Sequence, residues 1–167
     1  MSQDRADIEE LLVHYCFLTD YGMPERIPDE VFTEDGLFDN GLGEFRGRDA
    51  LREWFTTGGK TLEARAHHLS NISIHVDGDV ADARAYVTTY VWFTTTSGHG
   101  PARGADCVLD GAYHDSLVRT DEGWRIAARR TWPHGPAGLV SGQPPSNLAP
   151  MLDQKARQRA TGKWPGR

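Results

Sequence analysis

Asp115 sits in the stretch Gly111-Ala-Tyr-His-Asp-Ser-Leu-Val-Arg119, which reads as a strand. A carboxylate in the middle of an otherwise apolar strand is costly to bury without a partner or a proton. Tyr113 lies two residues earlier and shares its face, whereas His114 points the other way. An acid and a phenol are residue types that can exchange a proton. Arg129 and Arg130 alternate in face, so one is placed to pair with a buried acid and the other to be solvated. A second grouping begins with Asp20, near the C-terminus of a helix, where the macrodipole disfavours negative charge. An acid there gains from a donor such as an imidazole.

The seven histidines are scattered apart from the adjacent pair His67-His68, without an HExxH or HxxxH pattern. Strand neighbours face opposite ways, so His67 and His68 do not easily chelate one ion. Cys16 and Cys107 lack a CxxC or a Cys/His cluster and read as buried small hydrophobes. Neither a metal nor a cofactor is therefore expected. The net charge of −6 argues against a nucleic-acid binder. No apolar run approaches the roughly 18 residues of a membrane span. The start MSQDRADIEE is too polar for a signal peptide, so a cytoplasmic protein is expected.

These residues need elements to hold them. The 167 residues suit one domain, and 38% hydrophobic with 25% charged residues suits a globular one. Residues 4–20 carry Ile8, Leu11, Leu12, Tyr15 and Leu18 on one helical face, with Val13 and Phe17 as a second apolar edge. Residues 28–33 read as a short helix opened by Pro28. Leu37-Phe38-Asp39 and Glu44-Phe45-Arg46 form short strands around Asn40-Gly41, and 49–57 form a third helix with Leu51, Trp54 and Phe55 inward. Four long strands follow, over about 64–76, 80–96, 104–120 and 124–132, divided by turns at Asp77-Gly78-Asp79 and Asp121-Glu122-Gly123. Helices followed by a long antiparallel meander describe an α+β domain whose sheet must curl. The Pro/Gly-rich stretch 135–167 reads as a tail with a short basic helix near 150–160.

The order of elements resembles the nuclear transport factor 2-like superfamily, and within it the SnoaL-like polyketide cyclase group, near scytalone dehydratase and ketosteroid isomerase. The carrying segments are Gly47-Arg-Asp-Ala-Leu-Arg-Glu-Trp54-Phe55, His67-His68-Leu-Ser-Asn71, the stretch 111–119, and Gly123-Trp-Arg-Ile-Ala-Ala-Arg129. The resemblance spans residues 5–134. It implies a cone-shaped curved antiparallel sheet wrapped around N-terminal helices, with a pocket between them. By likeness to scytalone dehydratase, Asp20 and His68 fall at the positions of an acid and a catalytic histidine. Tyr90 or a neighbouring Thr stands where that group has a second histidine, and Tyr113 where it has an asparagine. By likeness to ketosteroid isomerase, Tyr15, Asp39 and Asp115 match a donor, a base and a protonated acid, with Asn40-Gly41 in place of a proline after the base.

The resemblance implies a cofactor-free cyclase, isomerase or dehydratase acting on a polyketide-like or polycyclic molecule. His68 is the expected base, Asp20 its orienter, Asp115 a second acid/base, Tyr15 and Tyr113 donors, and Asp39 a reserve base. Phe38, Trp54, Tyr90, Trp92 and Asn71 are the expected substrate contacts. A homo-oligomer, dimer or trimer, is also implied. Two alternatives stay open. One is a non-catalytic binding or assembly module, as in the small subunits of ring-hydroxylating dioxygenases. The other is an epoxide-opening hydrolase, which needs an Asp–Arg–Asp group.

Overall fold

A computed structural model describes residues 2–41, 43–95, 103–135, 138–142, 153–154 and 156–157. Helix α1 (Gln3–Asp20) buries Ile8, Leu11, Leu12, Tyr15, Cys16, Leu18 and Thr19. That is the stripe expected of a helix lying on a sheet. Among the described residues the second apolar edge finds little cover, since Phe17 is exposed and stacks on Tyr21.

Helix α2 (Ile27–Glu30) is shorter than its sequence suggests. Val31 and Phe32 are fully buried, and strand β1 (Phe32–Asp39) already begins where a helix reaching 33 was expected. The sheet claims these residues: Phe32 sits opposite Ile126, and the Ile126 N–H donates to the Val31 carbonyl at 2.8 Å. Burial in the sheet outweighs the weak propensity of a single helical turn.

Strand β2 (Glu44–Arg46) and helix α3 (Arg48–Gly58) follow, then β3 (Leu62–Asp77), β4 (Val80–Phe93), β5 (Cys107–Thr120), β6 (Gly123–Pro133) and β7 (Leu139–Gly142). The sheet order is β2-β1-β6-β5-β4-β3, with β7 also on β5. The pairs are antiparallel except β1 with β6, which run parallel. The sheet is curved and unclosed, and α1 lies against β3 and β6 across it. No described helix is long and apolar enough to cross a membrane.

Two irregularities matter for the site. In β3, the pairing with β4 shifts between Ser70 and Ser73, and Asn71 adopts φ +50°. This is a bulge, one extra residue that reverses which face each later side chain takes. Before it, Arg65, His67 and Leu69 lie opposite Val91, Thr89 and Val87; after it, Ile74 and Val76 lie opposite Ala83 and Ala81. At the other end, β6 leaves β5 at Gly111–Pro133, and β7 takes its place beside Cys107–Leu109. Residues 139–142, expected in the tail, are thus part of the sheet. The expected helix near 150–160 lies mostly outside the described residues.

Candidate active site

A cavity of about 340 Å³ opens between the sheet, α1 and α3. That is near the small end of natural small-molecule sites. Its apolar wall comes from Phe38 on β1, Trp54 and Phe55 on α3, and Val87, Val91 and Phe93 on β4. Phe38 and Phe55 pack with ring centroids 5.1 Å apart, and Trp54 stacks on Phe45 at 4.3 Å. The polar spots come from Tyr15, Asn40, Arg65, His67, Thr89, Tyr113 and Thr131.

The dyad at this site is Asp20 with His67. One carboxylate oxygen accepts from the His67 backbone N–H at 2.7 Å, and the other lies 2.5 Å from His67 Nδ1. The two side chains are only 17% and 8% exposed. β3 is an edge strand, so the N–H of His67 would otherwise face outward unpaired. Asp20, at the end of α1, thus caps the strand edge and orients the imidazole together. With the Nδ1 proton on the carboxylate side, the neutral ring keeps its lone pair at Nε2, which has no partner among the described residues.

His68 is one residue away and on the wrong face. It is exposed and packs edge-on against Tyr90, centroids 5.3 Å apart, on the outer side of the sheet. The position beside Asp20 and the cavity that was expected of His68 is taken by His67. Tyr90 and Trp92 alternate with the cavity residues of β4 and also face out, so neither lines the cavity; Trp92 Nε1 instead donates to the Arg103 carbonyl at 3.4 Å. Asn71 is exposed and forms the bulge rather than a substrate contact.

Asp115 does not reach the cavity either. It is 1% exposed and takes a two-point pair from Arg129, which is 0% exposed: Nε to Oδ1 at 2.8 Å and Nη2 to Oδ2 at 2.7 Å. Register makes them neighbours, since Asp115 and Arg129 sit opposite each other across β5 and β6. Both carboxylate oxygens are occupied as acceptors, which leaves no role as a donor acid. Burial works against the Arg129 charge, but the Asp115 carboxylate outweighs it and raises the guanidinium pKa. The guanidinium carbon also lies 4.2 Å from the centroid of Tyr15 and 4.1 Å from that of Tyr113. The pair is a clamp beneath the two tyrosines. One carboxylate is on this arginine among the described residues, not the two of an Asp–Arg–Asp group.

Tyr15 and Tyr113 do line the cavity, edge to face at 5.8 Å, and Tyr15 stands 6.3 Å from the His67 ring. Burial raises the Tyr15 pKa, with the Arg129 charge pulling it partly back. Burial pushes Tyr113 well above the ordinary phenol value. Both are held as proton-bearing donors.

Asp39 is aimed elsewhere. Phe38 points inward, so Asp39 points out, where its Oδ1 accepts from the Gly41 N–H at 2.9 Å. Asn40, next inward along the chain, is the residue that reaches the cavity. Sequence reasoning also missed Arg65, two before His67 on the same face, and Thr131, opposite Tyr113. Among the described residues, no group of three or more His, Cys, Asp or Glu side chains stands close enough to share a metal ion.

This arrangement, a curved sheet closed by N-terminal helices over one cavity, is the nuclear transport factor 2-like, cystatin-like fold, which solved structures of that type share. The chain belongs to the SnoaL-like domain family, whose sequence model matches residues 1–130. An uncharacterized protein of Mycobacterium tuberculosis is 34% identical over 128 residues, covering 75% of this chain and 82% of that one. A candidate aromatic ring hydroxylase from Novosphingobium aromaticivorans superposes with a TM-score of 0.73 at 29% identity, over 84% of this chain and 94% of that one. A candidate scytalone dehydratase from the same organism gives 0.67 at 26% identity, over 78% and 84%.

Proposed function

We propose that the protein is a cofactor-free acid–base enzyme, of lyase or isomerase type, acting on a small, largely apolar carbonyl compound of polyketide-like character. The observation that carries this reading is the Asp20–His67 pair beside a cavity that also holds Tyr15 and Tyr113. The likeness to a candidate scytalone dehydratase supports it.

In this reading His67 Nε2 takes a proton from the carbon next to a carbonyl. The C–H electrons move onto the carbonyl oxygen, and Tyr15 and Tyr113 donate to that developing enolate. Asp20 steadies the imidazolium. The proton then returns either to another carbon, which is isomerisation, or to a departing hydroxyl, which releases water. Arg129 and Asp115 fix the two phenols and touch no substrate.

The test needs no knowledge of the natural substrate. Exchange of the α-protons of a small aromatic ketone such as 2-tetralone is followed by NMR in D₂O. The wild-type protein should accelerate exchange, and His67→Ala should reduce the acceleration by about 100-fold or more. Equal rates for the two would overturn the assignment.

A homo-oligomer, dimer or trimer, belongs to the same proposal. Tyr86 and Tyr90, 44% and 38% exposed on the outer face of β4, are where a second copy would pack. Light scattering that gives the monomer mass at micromolar concentration would remove it.

A further inference from the structure

The cavity carries a cation whose two terminal nitrogens have no partner among the described residues. Arg65 lies on β3 two residues before His67, on the same face, and lines the cavity. Its Nε donates to the Thr19 carbonyl at 3.0 Å, one of the last carbonyls of α1, which fixes the root of the guanidinium. Among the described residues no acid or carbonyl takes its Nη1 or Nη2. Arg65 is half-buried, and these atoms are not sealed away from solvent. The charge is felt inside the site, where it acts on Tyr15.

The nearby carboxylates are already engaged as acceptors, Asp20 by His67, Asp115 by Arg129, and Asp110 by His134 at 3.0 Å and Thr88 at 3.1 Å. Among the described residues, Arg65 is therefore the lining cation whose donors are open. A planar fork with both Nη groups open suits a two-point carboxylate. The aromatic part of the lining, Phe38, Trp54 and Phe55, suits a ring.

We infer that the substrate is an aromatic carboxylate, or an acid of similar shape, with its carboxylate on Arg65 and its ring against Phe38, Trp54 and Phe55. This rests on the cavity being the substrate site, as proposed above, and it adds the residue that selects for charge. Arg65 would hold the acid group near the dyad, leaving His67 to act on a carbon a few bonds away.

Binding of 2-naphthoate and of its neutral counterpart 2-naphthamide is measured by calorimetry on the full chain. Wild-type protein should prefer the carboxylate by about tenfold to a hundredfold. Arg65→Gln should lose the preference while still binding the amide, which also shows that the cavity survives. Arg65→Lys keeps a donor for Thr19 and a point charge but not the fork, so it should retain a reduced preference. His67→Ala should keep the full preference. Loss of α-proton exchange without loss of preference thus isolates the reaction from charge selection, and the two readings fail separately. Equal affinity of wild type for both probes, binding of neither, or an unchanged preference in Arg65→Gln would each overturn the inference.

Discussion

Asp20 holds His67 at two points, the backbone N–H at 2.7 Å and Nδ1 at 2.5 Å, so one carboxylate sets both the strand position and the ring orientation of the same residue. Neither could shift without the other. The imidazole is preorganised by the fold and needs no further contact to keep Nε2 open.

The first prediction separates the two adjacent histidines. His67→Ala should abolish most of the acceleration of α-proton exchange, and His68→Ala should leave it within about twofold, because His68 lies on the outer face. Asp20→Asn should fall between the two. If His68→Ala proved the inactive variant, the face assignment of β3 would be wrong.

A second prediction concerns the buried ion pair. Asp115→Asn leaves the fully buried Arg129 charge without its counter-ion, and should cost ~3–5 kcal/mol in urea unfolding. The double variant Asp115→Leu with Arg129→Met should recover much of that loss, since no charge is then stranded. Recovery of stability should not restore full exchange activity, because Tyr15 and Tyr113 lose the guanidinium between them.

Alkaline stability gives a third. Burial pushes Cys16 from the usual value near 9 to about 12 and Cys107 to about 11, and raises Tyr15 and Tyr113 as well. For the thiols, the unfolded chain loses protons first as pH rises above about 9. Their contribution is then complete below pH 9 and is lost between about 9 and 12. Urea midpoints should be flat through neutral pH as far as these groups act, then decline above 9. Native protein should resist thiol reagents at pH 8, and stoichiometric labelling under native conditions would contradict the burial.

The fourth prediction tests the late strand. Gly142 has φ +87°, and an added Cβ would collide with the Asp106 carbonyl oxygen. Gly142→Ala should weaken β7 while leaving the core intact, since all four β7 residues are exposed. Hydrogen exchange should speed up around 107–109 with little change in the unfolding midpoint. A large fall in the midpoint would mean that β7 supports the core.

Much of the architecture was legible in the sequence because long periodic segments declare themselves. The α1 stripe, the turn at Gly78 and the β4–β5–β6 meander all follow from local pattern. The parallel contact of β1 with β6 was not, because it joins residues nearly a hundred apart and has no turn to announce it. The expectation for His68 rests on likeness to another family, which does not fix strand register. Ile74 and Val76 face inward after the bulge at Asn71, and the extra residue there puts His67 rather than His68 on the inward face before it. Asn at φ +50° is the sort of residue that tolerates such a bend, but one residue does not announce it. Asp115 stood out correctly as a costly burial. Its partner was legible only as one of two arginines, until register set Arg129 opposite it.

Pro133 and Gly138 both line the cavity, and Gly138 returns to accept the Asp110 N–H at 2.6 Å. Among the described residues, everything else that shapes the site precedes residue 134. A chain emerging from the ribosome can therefore assemble its hydrophobic core, dyad and ion pair before the last piece of the rim has been made. The pocket is finished after the fold is, and a protein cut short just past β6 would keep Asp20, His67, Tyr15 and Tyr113 in place around a vessel with a notch in its lip.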